Sequence, residues 1–161
     1  IDAYGYEKAK QVVSGWISNL ATEVFSNDTN ALKAVSSGQC GMTIVNTYYL
    51  ARLLGDSQYD NLRLFWANQN DRGVHVNISG AGVVKTSKNK ENAKLLLEYL
   101  SSDKAQNFYA SANKEFPVLI GAEVDRSIER WGKFKEDNIN VSKLGSLQKQ
   151  AVLLAQEAEY K

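Results

Sequence analysis

The stretch Gly41-Met42-Thr43-Ile44-Val45-Asn46-Thr47-Tyr48-Tyr49-Leu50-Ala51-Arg52-Leu53-Leu54-Gly55 decides how the rest of the chain is read. Met42 to Val45 is short, apolar and β-branched, the composition of a buried strand. It feeds directly into a short helix that opens at the tyrosine pair. A helix, a glycine, a strand and a helix in succession predict an α/β domain. Neighbouring residues on a helix diverge by about 100°. Two phenols in the first turn can still reach one point lying off the helix start. Arg52 stands one turn beyond both tyrosines and shares a face with each. Its guanidinium and the positive end of the helix both favour phenolate over phenol. A free tyrosine titrates near pH ~10, so a phenolate at neutral pH calls for a bound cation. Hard, highly charged ions prefer anionic oxygen, and ferric iron is the obvious biological case. The plainer alternative puts one tyrosine in the core and the other at the surface.

On the amino-terminal side, Tyr6, Ala9, Val12, Val13, Trp16, Ile17 and Leu20 follow the spacing of an amphipathic helix over residues 6–20. Tyr4 and Tyr6 are expected to pack at its start. The polar turn 25–30 opens a second helix over 28–36, with Asn27 or Asp28 as its cap and Gly38 closing it. Ala31, Leu32 and Val35 form its core face. Asn27 and Asn46 each stand just ahead of a helix start, where backbone N–H groups gather on an anion. Taken alone, simple capping is the preferred reading of both.

On the carboxyl-terminal side, residues 62–67 and 74–78 alternate as strands do, and 83–86 reads as a further short strand. Residues 90–101 and 103–112 are predicted helices. The first has Ala93, Leu96, Leu97 and Leu100 on one face. The second has Ala105, Phe108 and Tyr109, with Ser102 or Asp103 as cap. Residues 115–133, with the only proline, read as loop plus a short helix, and 141–160 as a long helix. No repeat, low-complexity segment or linker interrupts the chain.

The 161 residues can bury a sizeable core. Nineteen basic and eighteen acidic residues give a net charge of +1 without any basic block, which argues against nucleic acid as a partner. One cysteine excludes an intrachain disulfide, and one His with one Cys is too little for a zinc site of soft or imidazole ligands. No apolar run approaches the roughly 18 residues of a membrane span. The chain starts at Ile1 with neither Met nor a signal segment, and is expected to be a processed product or a fragment. Asp71-Arg72-Gly73 reads as a solvated turn and His75 as a structural histidine. Ser79-Gly80-Ala81-Gly82 lacks the lysine and spacing of a P-loop. Cys40 has no base nearby in sequence, and no carboxylate pair suggests acid–base work.

Asn27-Asp28-Thr29, then Ile44-Val45-Asn46-Thr47-Tyr48-Tyr49-Leu50, then Asn68-Gln69 with Asp71 to Gly82, resemble the periplasmic ferric-iron-binding proteins of ABC transporters. These form the bacterial transferrin-like group of solute-binding proteins. The segment from Trp131-Gly132-Lys133-Phe134-Lys135 to Ser142-Lys143-Leu144-Gly145 is similar to their carboxyl-terminal end. The resemblance covers essentially the whole chain but only the C-terminal half of the family's length.

It implies an α/β chain that is part of a two-lobed periplasmic-binding-protein fold, type II-like, contributing to both lobes and the hinge. Residues 1–75 would form mainly the C-terminal lobe with the Tyr48/Tyr49 site. Residues 76–120 would cross the hinge into the N-terminal lobe, and 121–161 would return with the terminal helices. Tyr48 and Tyr49 match the family's paired Fe3+ ligands, Arg52 a charge behind them, and Asn46 and Asn27 residues that help hold an accompanying anion such as carbonate or phosphate. The implied function is delivery of Fe3+ to an inner-membrane ABC permease from the periplasm, without enzymatic turnover. The remaining ligands would come from the missing N-terminal half, as a second chain or a swapped copy. Rival readings are a same-fold binder of another small anion or polyamine, a tyrosine-dependent acid–base enzyme, and the sensing domain of a regulator.

Overall fold

The structure, a computed structural model, describes residues 1–160. Lys161, the last residue of the expected return segment, lies outside them. Seven helices are described: α1 (Tyr6–Ser18), α2 (Asp28–Ser36), α3 (Thr47–Leu53), α4 (Lys90–Leu100), α5 (Asp103–Asn113), α6 (Arg126–Glu129) and α7 (Ser142–Glu157), with a 3-10 turn at Ser57–Tyr59 after α3.

The predicted caps operate where the side chains have the right reach. Asn27 caps α2 by accepting the Asn30 N–H at 2.9 Å. Ser102 accepts from Ala105 N at the start of α5, and Asp125 from Ser127 N at the start of α6. Gly38, with a positive φ of 80°, follows the end of α2.

Packing is divided among small clusters. Ala31, Leu32 and Ala34 of α2 are buried, as are Leu50 and Ala51 of α3, and these two helices pack together with the 3-10 turn and its buried Tyr59. Helix α1 lies along α7, where Leu154 and Ala158 are buried and Lys10 pairs with Glu157 at 2.7 Å. Helices α4 and α5 form a hairpin with Ala105 and Ala110 buried. A third joint is aromatic. Trp66 stacks on Phe134 at 4.2 Å, Phe116 meets Phe134 edge-on at 5.3 Å, and the Trp66 indole donates to the Trp131 carbonyl at 3.1 Å.

The four expected strands form no ladder among the described residues. Among the described residues the one β-type pairing is a parallel bridge between Val74 and Glu136, made by Val74 N to Lys135 O and Asp137 N to Val74 O, each 2.9 Å. The expected buried strand 42–45 is a correction, since Met42 is 85% and Ile44 81% exposed. The period-2 reading of 62–67 does survive in burial. Leu62, Leu64 and Trp66 are half-buried, whereas Arg63 and Phe65 face outward, Phe65 at 87% exposure. A strand is stabilised by a neighbour's backbone and a covering layer, and beyond the Val74 bridge these segments have no strand neighbour among the described residues. Residues 83–86 are exposed throughout.

Several side-chain expectations also change, Leu96 of α4 at 56% exposure and Trp16 of α1 at 54% among them. Tyr4 is exposed and donates to Asp71 at 3.3 Å beneath the Arg72 guanidinium, rather than packing on α1. Phe108, assigned to the core face of α5, is 66% exposed.

Candidate metal centre

Helix α3 is held from below. Leu50 and Ala51 are buried towards α2, which leaves Tyr48 and Tyr49 half-buried on the turn above them. Their ring centroids lie 4.4 Å apart with planes tilted by 39°, so the two phenols converge instead of splitting between core and surface. The Arg52 guanidinium carbon sits 5.0 Å from the Tyr48 ring and 5.8 Å from the Tyr49 ring. Arg52 is itself exposed.

The Tyr48 phenol is nevertheless held above its ordinary pKa. The neighbouring Tyr49 hydroxyl is the largest cause, followed by desolvation. The Asp28 carboxylate raises it further, and Arg52 only partly offsets these effects. The preference for phenolate expected from Arg52 is therefore outweighed. Two phenolates side by side repel, and only a cation between them removes that penalty.

Asn46 occupies the cap position of α3 with extended backbone (φ −69°, ψ 139°), yet its side chain makes no cap bond. Its Oδ1 accepts instead from Asn77 Nδ2 at 3.3 Å, and its backbone N–H donates to Asp28 Oδ2 at 3.4 Å. Asn27, by contrast, is engaged by its own helix. The structure thus gathers Tyr48, Tyr49, Arg52 and Asn46 at one end of α3 and leaves Asn27 as a cap on the adjoining helix. Sequence reasoning missed Asp28 and Asn77. Asp28 could have been found from the capping turn it shares with Asn27. Asn77 carries no local signal, because its partner is 31 residues away.

Of the other singled-out residues, those of the 71–73 turn serve structure. Arg72 pairs with Asp137, and Gly73 presses on the backbone of Lys135 and Glu136. Asp71-Arg72-Gly73 is therefore a packed junction, where a solvated turn was expected. His75 is exposed and Cys40 half-buried. Among the described residues no group of three or more His, Cys, Asp or Glu side chains could hold a metal. The donor set of the α3 site is phenol oxygen, which suits a hard, highly charged ion.

Residues 3–107 match the bacterial extracellular solute-binding protein family. The chain belongs to that family. It is 41% identical over 165 residues to Iron uptake protein A1 of Synechocystis, covering 99% of this chain and 46% of that relative. Among solved structures it resembles a Trichodesmium IdiA/FutA protein in complex with iron and citrate (TM-score 0.94, 40% identity, 100% of this chain and 53% of that one). It also resembles the ferric binding protein of Campylobacter jejuni (TM-score 0.92, 33% identity, 99% and 52%). This solute-binding protein chain therefore spans about half the length of the relatives it matches. Its fold is the corresponding part of their two-lobed α/β architecture.

Proposed function

We propose that this chain is the C-terminal half of a ferric-iron solute-binding protein, in which Tyr48 and Tyr49 hold Fe3+ as phenolates. The observation that carries the reading is the convergence of the two phenols 4.4 Å apart under one guanidinium at the start of α3. It is supported by relatives named for iron uptake and ferric-iron binding, one of them holding iron with citrate. Fe3+ is the cargo. Binding it expels both phenol protons, and the ion's charge then offsets the repulsion between the two phenolates. Arg52 balances the phenolate charge from outside the ligand set. Asn46, and Asn27 more remotely, would orient an accompanying anion such as carbonate or phosphate. No bond is made or broken in the cargo. The assembled protein would work in the periplasm and pass iron to an inner-membrane ABC permease.

The same reading divides the chain into a site-bearing lobe (1–75), a hinge crossing with part of the other lobe (76–120), and a return (121–161). It also calls for a complement. A compact 17.9 kDa monomer exposes about 8,000 Å², whereas this chain exposes 12059 Å². The excess carries Met42, Ile44, Phe65, Ile78, Val84 and Phe108. An N-terminal half, as a second chain or swapped from a copy, would pair the open strand segments, cover these side chains and supply the remaining iron ligands.

The test is the phenolate-to-iron colour of the assembled protein. Tyr49→Phe is expected to abolish most of the visible absorbance and to release iron. Unchanged colour and retention would refute the ligand role. Metal analysis that finds no iron, with an organic anion or polyamine retained, would assign the tyrosines to hydrogen bonding or stacking with that ligand instead.

A further inference from the structure

Asn46 and Asn89 are the two asparagines at helix starts that make no cap bond, and of the two only Asn46 has the extended backbone of a cap. Asn27, Ser102 and Asp125 each turn their side chain back onto their own helix. Asn46 has the right residue type and the extended backbone of a cap, but its Oδ1 is taken by Asn77. An asparagine cap stabilises its helix, so the diversion has a cost that the Asn77 contact must offset.

Asn77 is placed to act on Asn46. It sits three residues after Val74, which is bonded on both sides to the 135–137 segment. That junction is further fixed by the Arg72–Asp137 ion pair and by Gly73, whose backbone lies so close to Glu136 O that a Cβ would come within 2.5 Å. Val74 and Val76 are half-buried, while His75 and Asn77 face outward. The 74–77 segment is thus anchored at one end and reaches the tyrosine helix at the other. On the opposite side Asp28 accepts the Asn46 backbone N–H. Asn46 is gripped through its backbone by α2 and through its side chain by the 74–77 segment, two residues before Tyr48.

We infer that Asn77 is a positioning residue for the tyrosine pair. Through its amide contact with Asn46 it ties the start of α3 to the anchored 72–77 segment and so sets the approach of Tyr48 and Tyr49 to their ligand. This inference rests on the iron reading above and deepens it. Asn77 touches no proposed iron ligand and acts only through Asn46. Partners of this kind alter metal affinity by about 10–100-fold without altering which atoms ligate.

The experiment uses the assembled protein loaded with Fe3+ and follows iron transfer to a competing chelator through the visible band. Asn77→Ala should leave the position of the band and the melting temperature of the iron-free protein unchanged, while iron is lost about 10–100-fold faster. The same substitution in an Asn46→Ala background should add nothing, because its route of action is gone. Release at the parental rate would overturn the inference, as would an equal acceleration in both backgrounds or a lowered iron-free melting temperature. A parent protein that shows no band with Fe3+ would overturn the tyrosine reading itself, and this inference with it. The two failures are therefore distinguishable.

Discussion

At the scale of single residues the centre is a balance of charge. Arg52 and the start of α3 favour ionised phenols, but the Tyr49 hydroxyl first, then desolvation and the Asp28 carboxylate, outweigh them and raise the Tyr48 pKa. On the phenolate reading proposed above, ferric iron displaces about two protons on binding. Titration in weak buffer is expected to show that release, and affinity should rise with pH. Release of no protons would contradict phenolate ligation. A second residue-scale prediction concerns Asp125, whose carboxyl is lowered from 3.8 to about 2 by Lys114 first and then by Ser127. A carboxyl with a depressed folded-state pKa stabilises the fold above its unfolded value and loses that effect as pH falls through its folded one. The melting temperature should accordingly drop between pH ~4 and ~2, and Asp125→Asn should flatten that part of the curve. Gly73 supplies a third. With φ at 98° and backbone atoms of residues 135 and 136 where a Cβ would go, Gly73→Ala should destabilise the protein by more than about 1 kcal/mol in a denaturant melt. The tyrosine pair and Arg52 were legible as a candidate because spacing on a helix places side chains. Asn77 was not legible, and Asp28 was legible only as a residue of the capping turn, because only the tertiary fold brings the two to Asn46.

At the scale of elements, helices were readable and strands only half so. The bounds of α2 agree with the sequence reading, and those of α4 and α5 agree to within a residue. A helix satisfies its own backbone and announces its ends by caps. The alternation at 62–67 correctly gave the outward and inward residues, yet no local pattern names the partner of a strand. Phe108 shows the same limit on a helix. Periodicity identifies an apolar face but not what covers it. Helix α3 offers the element-scale test, since Leu50 and Ala51 seat it on α2 and thereby aim the tyrosines. Leu50→Ala should cost about 2–5 kcal/mol in stability and loosen iron binding together with it. That pattern differs from the one expected of Asn77→Ala, in which iron-free stability is untouched.

At the scale of the whole molecule, surface area governs. The chain exposes far more than a compact monomer of its mass, with large apolar side chains on the open strand segments and on α4 and α5. Gel filtration of the 161 residues alone should give swapped or associated species, and adding an N-terminal half should yield a discrete, more protected complex. A stable, well-folded monomer would contradict the need for a complement. The central claim remains that this half contributes two phenolates to a ferric site completed elsewhere. Resonance Raman scattering excited in the visible band of the Fe3+-loaded assembled protein tests it most directly. Tyrosinate ring modes are expected, weakened by Tyr48→Phe and by Tyr49→Phe and weakened most in the double variant. Modes of undiminished intensity in the double variant would contradict the account.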